Sequence, residues 1–142
     1  MTNDNALQNT LALLGRLLLA AIFLVSGYGK IGGFEATAGY MASKGLPMVQ
    51  VLLALTILVE LGGGLMLALG YRARLAALAL FLFLIPVTLV FHNYWAAPAA
   101  EAKMQMIMFM KNLAIMGGML YIAAYGPGRY SLCKNDCRCA AK

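Results

Sequence analysis

Apolar residues fall into four long blocks along the chain, separated by polar or glycine-rich segments. Each block holds about 20 residues, and a helix of that length rises about 30 Å, which is enough to cross the hydrocarbon layer of a membrane. The pattern therefore predicts four transmembrane helices. We expect them at Leu11–Gly29, Met48–Leu69, Ala73–Asn93 and Met104–Tyr125. The predicted connections are Lys30–Pro47, Gly70–Arg72 and Tyr94–Lys103.

Ionisable and amide side chains interrupt these apolar blocks. Glu60 lies near the middle of the second predicted helix, and Lys111 lies in the fourth. His92 ends the third helix, and Gln105 and Asn112 share one face of the fourth, two turns apart. A charged group inside a membrane costs about 2.5–3.5 kcal/mol or more unless it faces protein or water. We therefore expect these side chains to point into the bundle.

Depth along the helix axes indicates which charges can meet. At about 1.5 Å per residue, Glu60 is about 18 Å below Met48, and Lys111 is about 10–15 Å below the same side of the membrane. The lysine stem spans this difference, and Arg16 enters from the opposite side, so we expect Glu60 between the two cations. Two interpretations remain open. The charges either fix the helix packing, or Glu60, His92 and Lys111 line a cavity for a polar head group or a proton route.

Composition supports the membrane interpretation. Of the 142 residues, 63% are hydrophobic and only 11% are charged, which leaves too little polar surface for a water-soluble domain. We therefore predict an all-α fold, an integral membrane four-helix bundle over residues 1–130 that is surrounded by the lipid bilayer.

The positive charge predicts the orientation in the membrane. Short loops rich in Lys and Arg tend to stay on the cytoplasmic side. On the face shared by the two termini and the 70–72 turn lie Arg72, Arg74, Arg129, Lys134, Arg138 and Lys142. We therefore expect both termini to be cytoplasmic in a bacterial inner (plasma) membrane. Topology also explains the net charge of +6, so no nucleic-acid partner is expected.

The cysteines lie together in a short cytoplasmic tail, predicted at residues 131–142. Their positions, Cys133, Cys137 and Cys139, fit no common zinc pattern, and thiols on the cytoplasmic face stay reduced. His92 is the single histidine, so two histidines of one chain cannot hold a haem. The ten methionines are typical of apolar gap-filling. We expect no metal site.

Short polar and glycine motifs occur along the chain in a definite order. They are Arg16 at the start of the first helix, Ser26-Gly27-x-x-Lys30, Gly45-x-Pro47, Glu60-x-Gly62-Gly63, Gly70-x-Arg72-x-Arg74, His92, Lys111-Asn112, Gly117-Gly118 and Gly126-x-Gly128-x-x-Ser131. In this order and spacing the chain resembles the DoxX family of membrane proteins over nearly its whole length. The cysteine tail departs from the family pattern, so the resemblance implies nothing about it.

The resemblance implies a link to quinone oxidoreduction, redox-stress defence or the breakdown of quinones and aromatic compounds. The residues it implies are Arg16, Glu60, His92 and Lys111. Our leading hypothesis is a membrane oxidoreductase component that binds a quinone. His92 and Lys111 would stabilise a reduced quinone oxygen, and Glu60 would exchange a proton. Further candidates for contacts with the quinone are Arg16, Lys30, Gln105 and Asn112.

The sequence leaves two other functions open. The chain could be a non-catalytic assembly or scaffold subunit that docks another membrane oxidoreductase subunit through its glycine faces. It could also be a small transporter, for which four helices per chain would require a homodimer. The sequence contains no readable redox centre, so electrons would come from a partner or a diffusible carrier. Whether the chain is itself an enzyme stays open.

Overall fold

The computed structural model describes residues 2–132, and the regular elements in this range are all helical. They are α1 (Thr2–Gly32), α2 (Phe34–Ser43), α3 (Val49–Leu69), α4 (Ala73–Phe91), a 3-10 turn (Tyr94–Ala96) and α5 (Ala99–Tyr125). Helices α1, α3, α4 and α5 are long and apolar enough to cross a membrane. The predicted all-α bundle with four spanning helices is therefore confirmed. The predicted tail cysteines Cys133, Cys137 and Cys139 lie outside the described residues.

One predicted connection contains a helix that the sequence pattern did not indicate. Residues 30–47 were expected to be a loop, but α2 occupies Phe34–Ser43. Glu35 lies in its first turn, where the negative charge interacts favourably with the positive end of the helix dipole. Ala38 and Met41 are buried against Leu53 of α3. At ten residues α2 is too short to span the membrane, so it covers one end of the bundle instead.

Two spanning helices are longer than the apolar blocks predicted. Helix α1 continues to Gly32, three residues beyond its expected end, and α5 starts at Ala99, five residues before its expected start. Pro98 immediately precedes α5, and proline is favoured at helix starts because it has no N–H to leave unpaired. Polar residues such as Lys30 and Gln105 therefore lie inside helices, with fixed directions.

The spanning helices pack in the order α1, α3, α4, α5. Helix α1 packs mainly on α3, α3 also packs on α4, and α4 packs on α5, whereas α1 and α5 touch only sparsely. The core between them contains the fully buried Leu67, Leu80 and Met119. Because α1 and α5 are the two outer members of this series, the bundle has one loosely closed seam.

The bundle has two distinct ends, because four crossings return the chain to its starting side. The N-terminal part of α1 and the C-terminal end of α5 lie together, as hydrogen bonds from Arg16 to Pro127 and Tyr130 demonstrate. We call this end the terminal end, and the opposite end, which α2 covers, the α2 end. The cytoplasmic placement of the terminal end stays a prediction.

Two neighbouring glycines of α3 provide a matched test of the packing. A Cβ on Gly63 would lie 2.9 Å from Cδ2 of the buried Leu80, whereas a Cβ on Gly62 would meet nothing within 4 Å. We expect Gly63→Leu to destabilise the bundle by about 1–3 kcal/mol, the usual cost of overpacking. Gly62→Leu should be neutral or stabilising, because leucine is the better helix former.

The measurement is the unfolding midpoint in mixed detergent micelles, followed by the fluorescence of Trp95, the single tryptophan. Equal midpoints for the two leucine variants would contradict the assigned contact between α3 and α4.

Candidate functional site

A polar cavity lies inside the α2 end of the bundle, where all four spanning helices contribute side chains. Its volume is about 170 Å³. The wall combines apolar and polar side chains, namely Ile22, Phe23, Ser26, Lys30, Glu60, Leu84, Val87, His92, Lys111, Asn112 and Ile115. We call this space the polar cavity.

An ion pair between α1 and α3 forms one wall of the polar cavity. Nζ of Lys30 lies 2.9 Å from Oε2 and 3.0 Å from Oε1 of Glu60, so the ammonium faces both carboxylate oxygens. The Glu60 side chain is 7% exposed and that of Lys30 is 24% exposed. The lysine stem therefore reaches inward from the more accessible position, and its head neutralises the more deeply buried group.

Ser26 completes this wall one turn below Lys30 on α1. Its Oγ accepts a 2.6 Å hydrogen bond from Nζ of Lys30 and donates to Oε1 of Glu60 over 3.3 Å. Gly27 permits the close approach that this geometry needs, since a Cβ there would lie 2.9 Å from the Leu61 side chain. The Ser26-Gly27-x-x-Lys30 motif thus supplies a hydroxyl, a close contact and a cation to one site.

Two hydrogen bonds between α4 and α5 form the opposite wall. Nδ1 of His92 lies 2.9 Å from Oε1 of Gln105. Because an amide oxygen only accepts, Nδ1 is the donor in this pair, which leaves Nε2 as an acceptor when the ring is neutral. Nδ2 of the buried Asn112 donates to Oγ1 of Thr88 at 3.0 Å. The orientations of His92 and Asn112 are therefore each fixed by a hydrogen bond between α5 and the C-terminal part of α4 or the residue that follows it.

Lys111 stands at the opening of the cavity with a weak partner. Its Nζ donates to the thioether sulfur of Met108 at 3.3 Å, and the residue is exposed. A thioether is a poor acceptor compared with an oxygen. Since Glu60 already neutralises Lys30, Lys111 gives the cavity a net positive charge when His92 is neutral. This electrostatic environment favours a ligand with an anionic or strongly accepting oxygen.

The structure places the sequence-selected residues in two groups. Glu60, His92 and Lys111 line the polar cavity, and so do Lys30 and Asn112, with Gln105 directly behind His92. The prediction that Arg16 and Lys111 lie beside Glu60 was wrong. Lys111 bonds to Met108, and the partner of Glu60 is Lys30.

Arg16 belongs to the other end of the bundle. Its guanidinium donates to the backbone oxygens of Pro127 at 2.7 Å, Ala68 at 3.2 Å and Tyr130 at 2.7 Å. The expectation that Arg16 reaches Glu60 is therefore corrected. The physical reason is that helix ends leave unpaired carbonyls, and a buried arginine beside two such ends pairs with them first.

Ser26 is a polar cavity-lining residue that the sequence analysis did not select as a site candidate, although it lies in the Ser26-Gly27-x-x-Lys30 motif. A signal was available, because Ser26 and Lys30 are four residues apart and share a helix face. Among residues 2–132 no three His, Cys, Asp or Glu side chains come together as a metal-binding group.

Comparisons with known proteins agree with the architecture. The DoxX family model matches residues 11–93, a range that includes Arg16, Lys30, Glu60 and His92 but not Lys111. The chain is 38% identical to inner membrane protein YqjF of Escherichia coli, over 89% of this chain and 92% of that protein. Inner membrane protein YphA of the same organism is 32% identical over 89% of this chain and 91% of its own length.

A more distant similarity extends to eukaryotes. The Surfeit locus protein 4 homolog of Drosophila melanogaster is 26% identical over 91% of this chain, which corresponds to 42% of that protein. No solved structure matches the chain. The family match, the two bacterial relatives and the four spanning helices together identify the chain as a multi-pass inner-membrane protein that belongs to the DoxX family.

Proposed function

We propose that the protein binds the oxygen-bearing ring of a quinone in the polar cavity and acts as a component of quinone-linked oxidoreduction in the membrane. The observation that carries the proposal is the convergence of Lys30, Glu60, His92 and Lys111 on one cavity within apolar spanning helices. Ionisable groups at such depth are costly, and convergent ones mark functional sites more often than isolated ones.

The size of the cavity suits a single ring. In another protein an apolar cavity of about 150 Å³ is large enough to bind benzene, and the polar cavity here measures about 170 Å³. Apolar walls from Phe23, Leu84 and Ile115 fit the faces of a ring. The polar groups lie on the walls beside them, where they fit the oxygens. A larger head group would need the cavity to open further.

The chemistry assigned to the protein is binding and proton exchange. Reduction of a quinone to a quinol takes two electrons and two protons. Lys111 stabilises negative charge that develops on one oxygen, and Nε2 of His92 accepts a hydrogen bond from the hydroxyl of the reduced ring. Glu60, which contacts Ser26 and Lys30, transfers one proton to the quinone, and water that enters the cavity opening supplies the second. A membrane oxidoreductase partner supplies the electrons.

Removing the charge of Lys111 should weaken quinone binding by about 10- to 100-fold, the equivalent of one hydrogen bond to a charged group. The measurement is calorimetric titration of the detergent-purified protein with a small methyl-substituted benzoquinone, whose ring is close to the cavity in size. Lys111→Ala tests the cation, and Glu60→Gln tests the carboxylate with little change in shape.

Lys103→Ala is the matched control, because Lys103 is exposed near the same end of α5 and does not line the polar cavity. If Lys111→Ala and Glu60→Gln bind the quinone as tightly as Lys103→Ala while remaining folded, the polar cavity is not a quinone site.

A scaffold role is the second candidate, and two glycines favour it. A Cβ on Gly62 of α3 or Gly117 of α5 would meet nothing within 4 Å, so both present backbone to the surroundings. Such positions allow a helix of another membrane protein to approach closely. A Gly62→Leu or Gly117→Leu chain that stays folded but no longer copurifies with a partner, together with absent quinone binding, would favour this role.

A further inference from the structure

The loosely closed seam between α1 and α5 contains a second, larger space at the terminal end. It has a volume of about 610 Å³ and an apolar character. Its lining residues include Gln8, Leu11, Gly15 and Leu19 of α1 and Tyr121 of α5. We call it the α1–α5 groove. Leu11 and Tyr121 are exposed, so the groove opens to the surroundings of the bundle.

The α1–α5 groove is separate from the polar cavity. Between the two, α1 and α5 approach closely at Leu19 and Gly118, where a Cβ on the glycine would lie 3.0 Å from Cδ1 of the leucine. This contact divides the seam into a polar compartment at the α2 end and an apolar compartment at the terminal end. A ligand of the groove therefore need not touch Glu60 or Lys111.

The mouth of the groove lies where lipid headgroups are expected. Tyr121 and Tyr125 are exposed near the end of α5, with ring centroids 4.7 Å apart, and tyrosines are enriched at the membrane interface. Beyond them the chain folds back onto α1. The backbone N–H of Arg129 donates to Oδ1 of Asn9 at 3.2 Å, which holds the backbone of the exposed Arg129 against α1, one residue along the chain from the groove-lining Gln8.

The terminal end is rich in arginine. Arg72, Arg74 and Arg129 all lie at this end, and Arg129 closely follows the groove-lining Gly126 and Pro127. Of the acidic side chains that the structure describes, Glu35 and Glu101 lie at the α2 end, and Glu60 lines the polar cavity. Basic pockets between transmembrane helices bind anionic lipid headgroups. We propose that the α1–α5 groove is a binding site for an anionic phospholipid, with an acyl chain in the groove and the phosphate near Arg129.

A second copy of the chain fits this surface less well than a lipid. Two copies in one membrane share the same orientation, so a symmetric contact through the groove would bring Arg129 of one copy close to Arg129 of the other. This like-charge contact is unfavourable, whereas an anionic headgroup neutralises it. Apolar contacts add little selectivity inside a bilayer, since the lipid tails are equally apolar. The headgroup charge should therefore dominate the preference.

The test is lipid binding by native mass spectrometry of the full chain in mild detergent. The probes are phosphatidylglycerol and phosphatidylcholine with identical acyl chains. Phosphatidylglycerol should bind at least about fivefold more tightly, and Arg129→Gln should reduce this preference by about fivefold, the typical effect of one basic residue near an anionic headgroup.

Leucine substitutions on α1 provide the matched variants. A Cβ on Gly15 or on Gly29 would meet nothing within 4 Å, so both positions tolerate a side chain, but only Gly15 lines the groove. Gly15→Leu should abolish the tightly bound phosphatidylglycerol, and Gly29→Leu should retain it. Equal affinity for both lipids, or unchanged binding by Gly15→Leu, would overturn the proposal. A lipid-free dimer that Gly15→Leu dissociates would also overturn it and identify a second copy as the occupant.

Discussion

Lys30→Met is expected to destabilise the bundle by about 3–5 kcal/mol, because it removes the partner of a buried carboxylate. Glu60 is the deeper member of the pair, 7% exposed against 24% for Lys30. Glu60→Gln should cost less, since the lysine that remains can extend toward the polar edge of the membrane. The double variant Lys30→Met/Glu60→Gln should recover most of the stability that Lys30→Met loses.

A double-mutant cycle of unfolding free energies in mixed micelles measures this coupling. Lys44→Met is the control, because Lys44 is an exposed lysine at the same end that contacts the Tyr40 ring at 5.5 Å. Its cost should stay below about 1 kcal/mol. Additive effects of Lys30→Met and Glu60→Gln would show that the ion pair does not couple α1 to α3.

The same variants distinguish a packing role of the Lys30–Glu60 ion pair from a role in proton exchange. If the pair serves packing alone, the uncharged double variant should be stable and should retain whatever the cavity binds. If the pair serves the proposed proton exchange, the double variant should be stable but should lose quinone-dependent activity. The two interpretations left open by the sequence thus differ in a measurable quantity.

The spanning helices were predictable because lipid imposes a strict length and polarity on any segment that crosses it. Helix α2 was not, because ten residues of mixed polarity satisfy no such condition. Its stability comes from burial of Ala38 and Met41 on α3. That tertiary contact has no signature in the pattern of residues 30–47.

The sequence predicted several of the residues that line the polar cavity, but it did not predict which of them contact each other. Depth and polarity selected Glu60, His92 and Lys111, which the structure places around one cavity. Depth alone could not give the rotation of each helix about its axis, so Lys111 was assigned to Glu60. Lys30 was predicted to begin a loop, which would have left the direction of its side chain undefined. Because α1 continues to Gly32, Lys30 is part of the helix and its side chain has a fixed direction.

Arg16→Met is expected to cause a loss of stability of similar size, about 3–5 kcal/mol, at the opposite end of the bundle. Arg16 is 2% exposed, and its hydrogen bonds join α1 to the last turn of α3, through Ala68, and to the segment after α5, through Pro127 and Tyr130. Each hydrogen bond from a charged group contributes about 1.5–3 kcal/mol, and the carbonyls left behind are buried or partly buried.

Arg16→Lys should recover only part of this stability, because an ammonium cannot reproduce the planar fork that reaches several carbonyls at once. Arg129→Gln is the control, since Arg129 is exposed and lies in the same segment after α5 as Pro127 and Tyr130. Hydrogen exchange gives a local readout. Amides at residues 126–130 should exchange faster in Arg16→Met than in Arg129→Gln, while amides at the α2 end change little. Uniformly faster exchange over the whole bundle would instead mean that Arg16 stabilises the entire fold rather than only the contact between α1, the end of α3 and the segment after α5.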